Sequence, residues 1–165
     1  MERNWSYTIQ EGEHKGVTLW SGRYCAVCAM IFCYANGFWH VLANVRNEKC
    51  PDYKGYWCMP CGFIEAYETG EQAASRETVE ETGMFVFPKD FIFYGVETDP
   101  TISNNGNVTL RYYTKIYRGI LPETWSVSEE AADIEWIPLN KIEDYDWAFH
   151  HKELIYEIIN AGILK

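Results

Sequence analysis

The sequence predicts an α/β fold in which a mixed β-sheet is covered by helices. Three features predict it: a β-hairpin signature in the first third, a capped helical segment near the middle, and an amphipathic helical segment at the end, with further strand-like runs between the two helices. No repeat or linker interrupts this order. The 165 residues are the length of one domain, so residues 1–165 are expected to form a single unit, with residues 1–15 as a loosely ordered N-terminal segment. A content of 47% hydrophobic and 16% aromatic residues can fill a core and is far from that of disordered chains.

The hairpin comes first. Residues 24–34 and 38–46 are apolar, strand-like runs, joined through Ala35 by Asn36-Gly37, a pair that supplies the positive φ angles of a tight turn. Residues 47–56, rich in charge, Pro and Gly, read as a surface loop. Thr69 followed by Gln72 is a capping box and Gly83 a left-handed stop, so the spacing predicts a helix over 70–82. Residues 91–98 and 108–118 are the next strands, linked through Asn104-Asn105-Gly106, and residues 134–138 form a short further strand. Within residues 150–160, Leu154, Ile155, Ile158 and Ile159 recur at helical spacing, and Gly162 lies beyond as a stop.

Charge narrows the partners. With 24 acidic against 14 basic residues the formal charge is -10, which repels phosphate backbones and anionic membranes, so neither a nucleic-acid polymer nor a membrane is expected as a partner. The longest apolar run is too short to span a bilayer and the first ten residues lack an apolar stretch, which predicts a soluble, cytoplasmic protein. A small anionic substrate remains compatible with this charge if divalent cations neutralise the local field.

Six cysteines include two Cys-x-x-Cys pairs, Cys25/Cys28 and Cys58/Cys61, formally a four-thiolate zinc set. Residues three apart in a strand project from opposite faces, so Cys25 and Cys28 cannot share one metal, and the thiols read instead as reduced, buried small hydrophobes. His14, His40, His150 and His151 are assigned no chemistry; the last two open a helix, where capping or exposure is the ordinary role. Trp20, Tyr53 and Tyr56 are candidates for stacking on a base.

The middle helix carries the chemistry. On a helical wheel Glu77, Glu80 and Glu81 fall within an arc of about 100°. Ala73, Ala74 and Met84 lie on or beside that arc and Gln72, Ser75 and Thr82 opposite it, which predicts an acidic face turned inwards; Val79 does not fit. Three inward carboxylates, only partly offset by Arg76, call for a hard divalent cation, Mg²⁺ or Mn²⁺.

The residues Gly62, Glu68, Arg76, Glu77, Glu80, Glu81, Gly83 and Met84, within CGFIEAYETGEQAASRETVEETGM, match the spacing of the Nudix box, and the chain resembles the Nudix hydrolases. Two positions depart from the usual pattern: Thr78 stands where an aliphatic residue is usual and Tyr67 where a Gly often stands. The resemblance implies a Nudix-type α/β/α sandwich with a mixed β-sheet. It also implies a Mg²⁺-dependent (or Mn²⁺-dependent) enzyme that cleaves the phosphoanhydride bond of a nucleoside diphosphate joined to another moiety, of the ADP-ribose or nucleotide-sugar type. By position, Glu80, Glu81 and the Gly62 carbonyl would be metal ligands, and Glu77 a ligand or the catalytic base, oriented by Arg76. Glu130 is the choice for a further acid from outside the box, with Glu129 in reserve. Pro100, sixteen residues beyond Met84, stands where some ADP-ribose-cleaving relatives carry a proline. A nucleoside triphosphate pyrophosphohydrolase, a non-catalytic nucleotide-sensing module and a zinc-stapled interaction domain are the competing readings, and a homodimer is compatible with all of them.

Overall fold

The computed structural model describes residues 5–102, 106–125 and 131–165. Ordered pairing reaches back to the start of this range: β1 (Trp5–Thr8) and β2 (Thr18–Ser21) form a two-stranded antiparallel ribbon apart from the main sheet. The sequence pattern did not announce this ribbon. The predicted hairpin is present as β3 (Cys25–Ala35) and β4 (Phe38–Arg46), with Asn36 at φ 55° and Gly37 at φ 92° in the turn. There follow β5 (Trp57–Cys58), β6 (Cys61–Phe63), α1 (Gly70–Thr82), β7 (Ile92–Glu97), β8 (Val108–Tyr117), β9 (Ala131–Pro138) and α2 (His151–Asn160). The main sheet runs β5-β4-β3-β8-β7, with β6 also on β3 and β9 on β4; β3 and β8 pair in parallel and the other described strands pair antiparallel, so the sheet is mixed.

One irregularity positions the site. Next to the turn, β3 and β4 pair only from Phe32↔Val41 to Ala35↔Phe38. Farther from it, β3 takes β6 as partner and β4 takes β5, so residues 57–63 are inserted between two strands that have splayed apart. Cys61 and Gly62 thereby lie opposite Cys28 and Val27, and Cys58 lies opposite Asn44.

Burial is continuous along β3 from Val27 to Cys33, as a strand covered on both faces requires, and successive side chains go to opposite faces. Val27, Ala29, Ile31, Cys33 and Ala35 pack with Leu42, Trp136 and the α1 residues Ala73 and Ala74. Cys28, Met30 and Phe32 pack with Val41, Ile137 and the α2 residues Leu154, Ile155 and Ile158. Helices thus cover the two faces of one sheet, the sandwich that the sequence implied.

The inward face of α1 is rotated from the predicted one. Ser75, Thr78 and Thr82 are buried along with Ala73, Ala74, Glu77 and Glu81, whereas Glu80 stands at the exposed edge. Buried hydroxyls are tolerated here because each donates to a carbonyl: Thr78 to Ala74 at 2.6 Å, Thr82 to Thr78 at 2.5 Å and Ser75 to Val86 at 2.6 Å. A wheel that counts hydroxyl residues as outward-facing misses this.

Candidate active site

Local signals place α1. Thr69 accepts a hydrogen bond from the Gln72 N–H at 3.3 Å while the Gln72 side chain accepts from the Thr69 N–H at 2.8 Å, and Gly83 closes the helix at φ 68° with its N–H on the Val79 carbonyl. The helix presents Arg76, Glu77, Glu80 and Glu81.

Arg76 is a hub. Its guanidinium makes a fork onto Glu68 at 2.8 and 3.2 Å, reaches Glu77 Oε1 at 2.7 Å and Glu80 Oε2 at 3.2 Å, and donates to the Phe63 carbonyl at 2.8 Å. The loop that precedes α1 is thus tied to the helix it enters. The hydrogen-bonded Arg76 holds the Glu68 carboxyl below the usual range, and Glu68 in turn secures the charge on Arg76. Tyr67, exposed and at φ 71°, shows why a Gly is favoured at that position, since a left-handed backbone penalises any Cβ.

Gly62 leaves room for the Glu77 carboxylate, which a Cβ there would meet at 2.1 Å and have to displace. Glu81 is buried, accepts from Asn44 Nδ2 at 2.8 Å and from the Cys61 N–H at 3.3 Å, and is held well above the ordinary carboxylate range by burial, then by Cys61 and Glu77. These groups open on a cavity of about 670 Å³, lined by Gly62, Arg76, Glu77, Glu80 and Glu81 and also by Arg46, Arg111, Asn107 and Phe149. That volume suits a nucleotide-sized ligand. Arg46 is paired with Asp52 at 2.5 Å and lies 4.8 Å from the centre of the Phe149 ring; Arg111 is paired with Glu97 at 2.6 Å.

Five of the sequence-predicted residues, Gly62, Arg76, Glu77, Glu80 and Glu81, therefore share one cavity, while Glu129 and Glu130 lie outside the described residues. Pro100 does not line the cavity, although Glu97 and Ile102 beside it do. Tyr53 packs against Phe149 with ring centres 4.8 Å apart and against Tyr56 at 5.7 Å, and it is Phe149 that lines the cavity; the Trp20 side chain falls outside the description. Sequence reasoning missed Asn44, Arg46, Arg111 and Phe149. An amide and two guanidinium groups inside or at the end of apolar strand runs were the available signal.

The cysteines are free thiols, four of them buried, and some also make polar contacts; His151 needs correction. Cys28, Cys58 and Cys61 come together at the site, with Cys28 and Cys61 lining the cavity: Cys58 donates to Asn44 Oδ1 at 2.8 Å, and Cys28 lies 3.6 Å from His151 Nε2. Cys61 is raised well above the usual thiol range by its hydrogen bond with Cys58 and by burial, and Cys28 by burial. Among the described residues no group of three or more His, Cys, Asp or Glu side chains is already arranged to hold a metal ion. His151 is neither a cap nor exposed: it is buried, its Nδ1 accepts from the Met59 N–H at 3.0 Å, and burial, with Arg111 and Arg46 nearby, lowers its pKa to about 3.

A family model described as the NUDIX domain matches residues 26–158. The chain belongs to the Nudix family. An ADP-ribose pyrophosphatase of Methanocaldococcus jannaschii is 32% identical to this Nudix chain over 112 residues, which are 67% of the chain and 61% of that relative's length. The Nudix domain of Shewanella oneidensis NrtR, solved in complex with ADP ribose, has a similar fold, with a TM-score of 0.75 at 24% identity over 86% of this chain and 89% of that one. A bifunctional NMN adenylyltransferase/ADP ribose pyrophosphatase of Francisella tularensis, solved with AMP and a manganese ion, gives 0.71 at 24% identity over 85% of this chain and 42% of that one. Among the described residues no helix is long and apolar enough to cross a membrane.

Proposed function

We propose that this chain is a divalent-metal-dependent hydrolase that cleaves the phosphoanhydride bond of a nucleoside diphosphate joined to a second moiety, of the ADP-ribose or nucleotide-sugar type. The observation that carries the reading is one cavity whose walls bring the carboxylates of α1 together with the guanidinium groups of Arg46 and Arg111. The ADP-ribose pyrophosphatase named among the relatives supports the substrate class.

The residues fit Mg²⁺ or Mn²⁺ by donor chemistry. Glu77, Glu80, Glu81 and the Gly62 carbonyl offer oxygen ligands only, and among the described residues no cationic side chain is paired with the buried Glu81. In this state Arg76 draws Glu77 and Glu80 to itself, so the fit lies in the donor set rather than in a preformed cage. Glu130 is the proposed further ligand. A cation held by these groups would supply charge neutralisation at the phosphate oxygens and a lowered pKa for water.

The chain's own groups do the rest. Arg46 and Arg111 meet the non-bridging phosphate oxygens, sharing their charge with Asp52 and Glu97. Phe149, stiffened by Tyr53 and Arg46, offers a face to the base. Glu77, held by Arg76 at 2.7 Å, is our choice for the group that takes a proton, if it does not serve as a metal ligand. Product analysis with Mg²⁺ over ADP-ribose, nucleotide sugars, dGTP and oxidised dGTP tests the reading. Mononucleotide release with a higher kcat/KM for the diphosphate compounds is expected; a preference of about tenfold or more for triphosphates overturns the substrate class.

A further inference from the structure

We propose that Asn44 is the positioning residue for Glu81, and that the thiol of Cys58 sets the orientation of Asn44. The inference rests on the reading of Glu81 as a metal ligand. Asn44 lies in β4, 3% exposed, within an otherwise apolar stretch, and both halves of its amide are used. Its Nδ2 donates to Glu81 Oε2 at 2.8 Å, and its Oδ1 accepts from Cys58 Sγ at 2.8 Å. The second bond decides the first. With Oδ1 committed to the thiol, the amide nitrogen faces the carboxylate; a flipped amide would set oxygen against oxygen and leave the thiol proton without an acceptor.

The Cys61 N–H adds a second donor to the same Oε2 at 3.3 Å. Among the described residues no hydrogen bond engages Oε1, so one carboxylate oxygen is anchored and the other is left for a cation. A neutral amide suits this task better than a lysine or arginine would, because it fixes the carboxylate without neutralising it and does not compete with the metal. The splaying of β3 from β4, which inserts residues 57–63 between them, brings Cys58 opposite Asn44 and the Cys61 N–H to this carboxylate. The Cys58-x-x-Cys61 spacing, unexplained by zinc, acquires a role: one residue supplies the thiol that orients the amide, and the other supplies a backbone donor.

The test compares Asn44→Leu, Cys58→Ala and Cys58→Ser with the wild-type chain by Mn²⁺ titration, thermal unfolding and steady-state kinetics. Asn44→Leu should weaken Mn²⁺ binding by about 10- to 100-fold, with a matching loss of kcat at limiting metal and little change in the KM for substrate at saturating metal. Cys58→Ala should show a smaller loss in the same direction, and Cys58→Ser, whose hydroxyl donates in place of the thiol, should restore it. A folded Asn44→Leu that binds Mn²⁺ within about twofold of wild type overturns the proposal. Should Asn44→Leu fail to fold, the Cys58 pair decides, and equal affinities for Cys58→Ala and wild type overturn it. Glu81→Gln separates the two readings: wild-type Mn²⁺ affinity in that variant removes Glu81 as a ligand and this inference with it. Lost affinity there together with an unaffected Asn44→Leu removes this inference alone.

Discussion

The two helices that cover the sheet are built on opposite terms. α2 buries Leu154, Ile155 and Ile158 and is entered through His150, a left-handed residue that makes no side-chain cap. Its apolar burial holds it in place despite that start. α1 has a full capping box and a glycine stop, yet its inward face is Ala73, Ala74, Ser75, Thr78 and Thr82 with the carboxylates of Glu77 and Glu81. Caps, hydroxyl-to-carbonyl bonds and the Arg76 hub take over where apolar side chains are few. The contrast shows where the chain gives up apolar packing for chemistry: α2 is a scaffold, and α1 is a scaffold whose buried face carries charge.

Glu81→Gln attacks that trade directly and should have the largest effect. It is expected to lower kcat by on the order of a thousandfold or more while the protein still folds; near-wild-type turnover would leave α1 with no chemical reason for its polar face. On the other side, Ile155→Ala empties a fully buried position in α2 and should cost about 2–5 kcal/mol in urea unfolding, with activity per folded molecule retained. If both variants damaged stability equally, the distinction between the helices would fail.

Acid sharpens the comparison at the start of α2. His151 is neutral in the fold, with a pKa lowered from 6.5 to about 3. The unfolded chain therefore binds the proton first, and the contribution is complete above pH 6.5 and lost as the pH falls from there towards 3. Roughly 2 kcal/mol should be lost by pH 5. In His151→Asn, whose side-chain oxygen can accept from the Met59 N–H, the slope of unfolding free energy between pH 6.5 and 5 should flatten; an unchanged slope would place the acid sensitivity elsewhere. The smallest effect concerns how α1 is held: Thr69→Ala removes its cap and should cost about 1 kcal/mol, readable as a lower midpoint in the same urea titration.

Local signals made much of this readable in advance. Asn36-Gly37 forced the hairpin, Thr69 with Gln72 and Gly83 set the limits of α1, and the spacing from Gly62 to Met84 placed five polar groups that the cavity then shares. Each is a short-range rule, a φ preference, a cap or a helical period, and needs no knowledge of the rest of the chain. By contrast, Asn44 meets Glu81 across 37 residues and Cys28 meets His151 across 123. Nothing local distinguishes those residues from ordinary members of a strand or a helix start.

What the sequence determined by itself was thus the set of elements and the family's chemical groups, because backbone preferences and motif spacing act within a few residues. Only the tertiary structure decided which face of α1 turns inwards, which oxygen of Glu81 is anchored, and that Arg46, Arg111 and Phe149 line the same cavity as the carboxylates. Those outcomes depend on the splay of β3 from β4 and on the segment inserted between them. Strand pairing over long loops is fixed by the packing of the whole sheet, and no window of the sequence contains it.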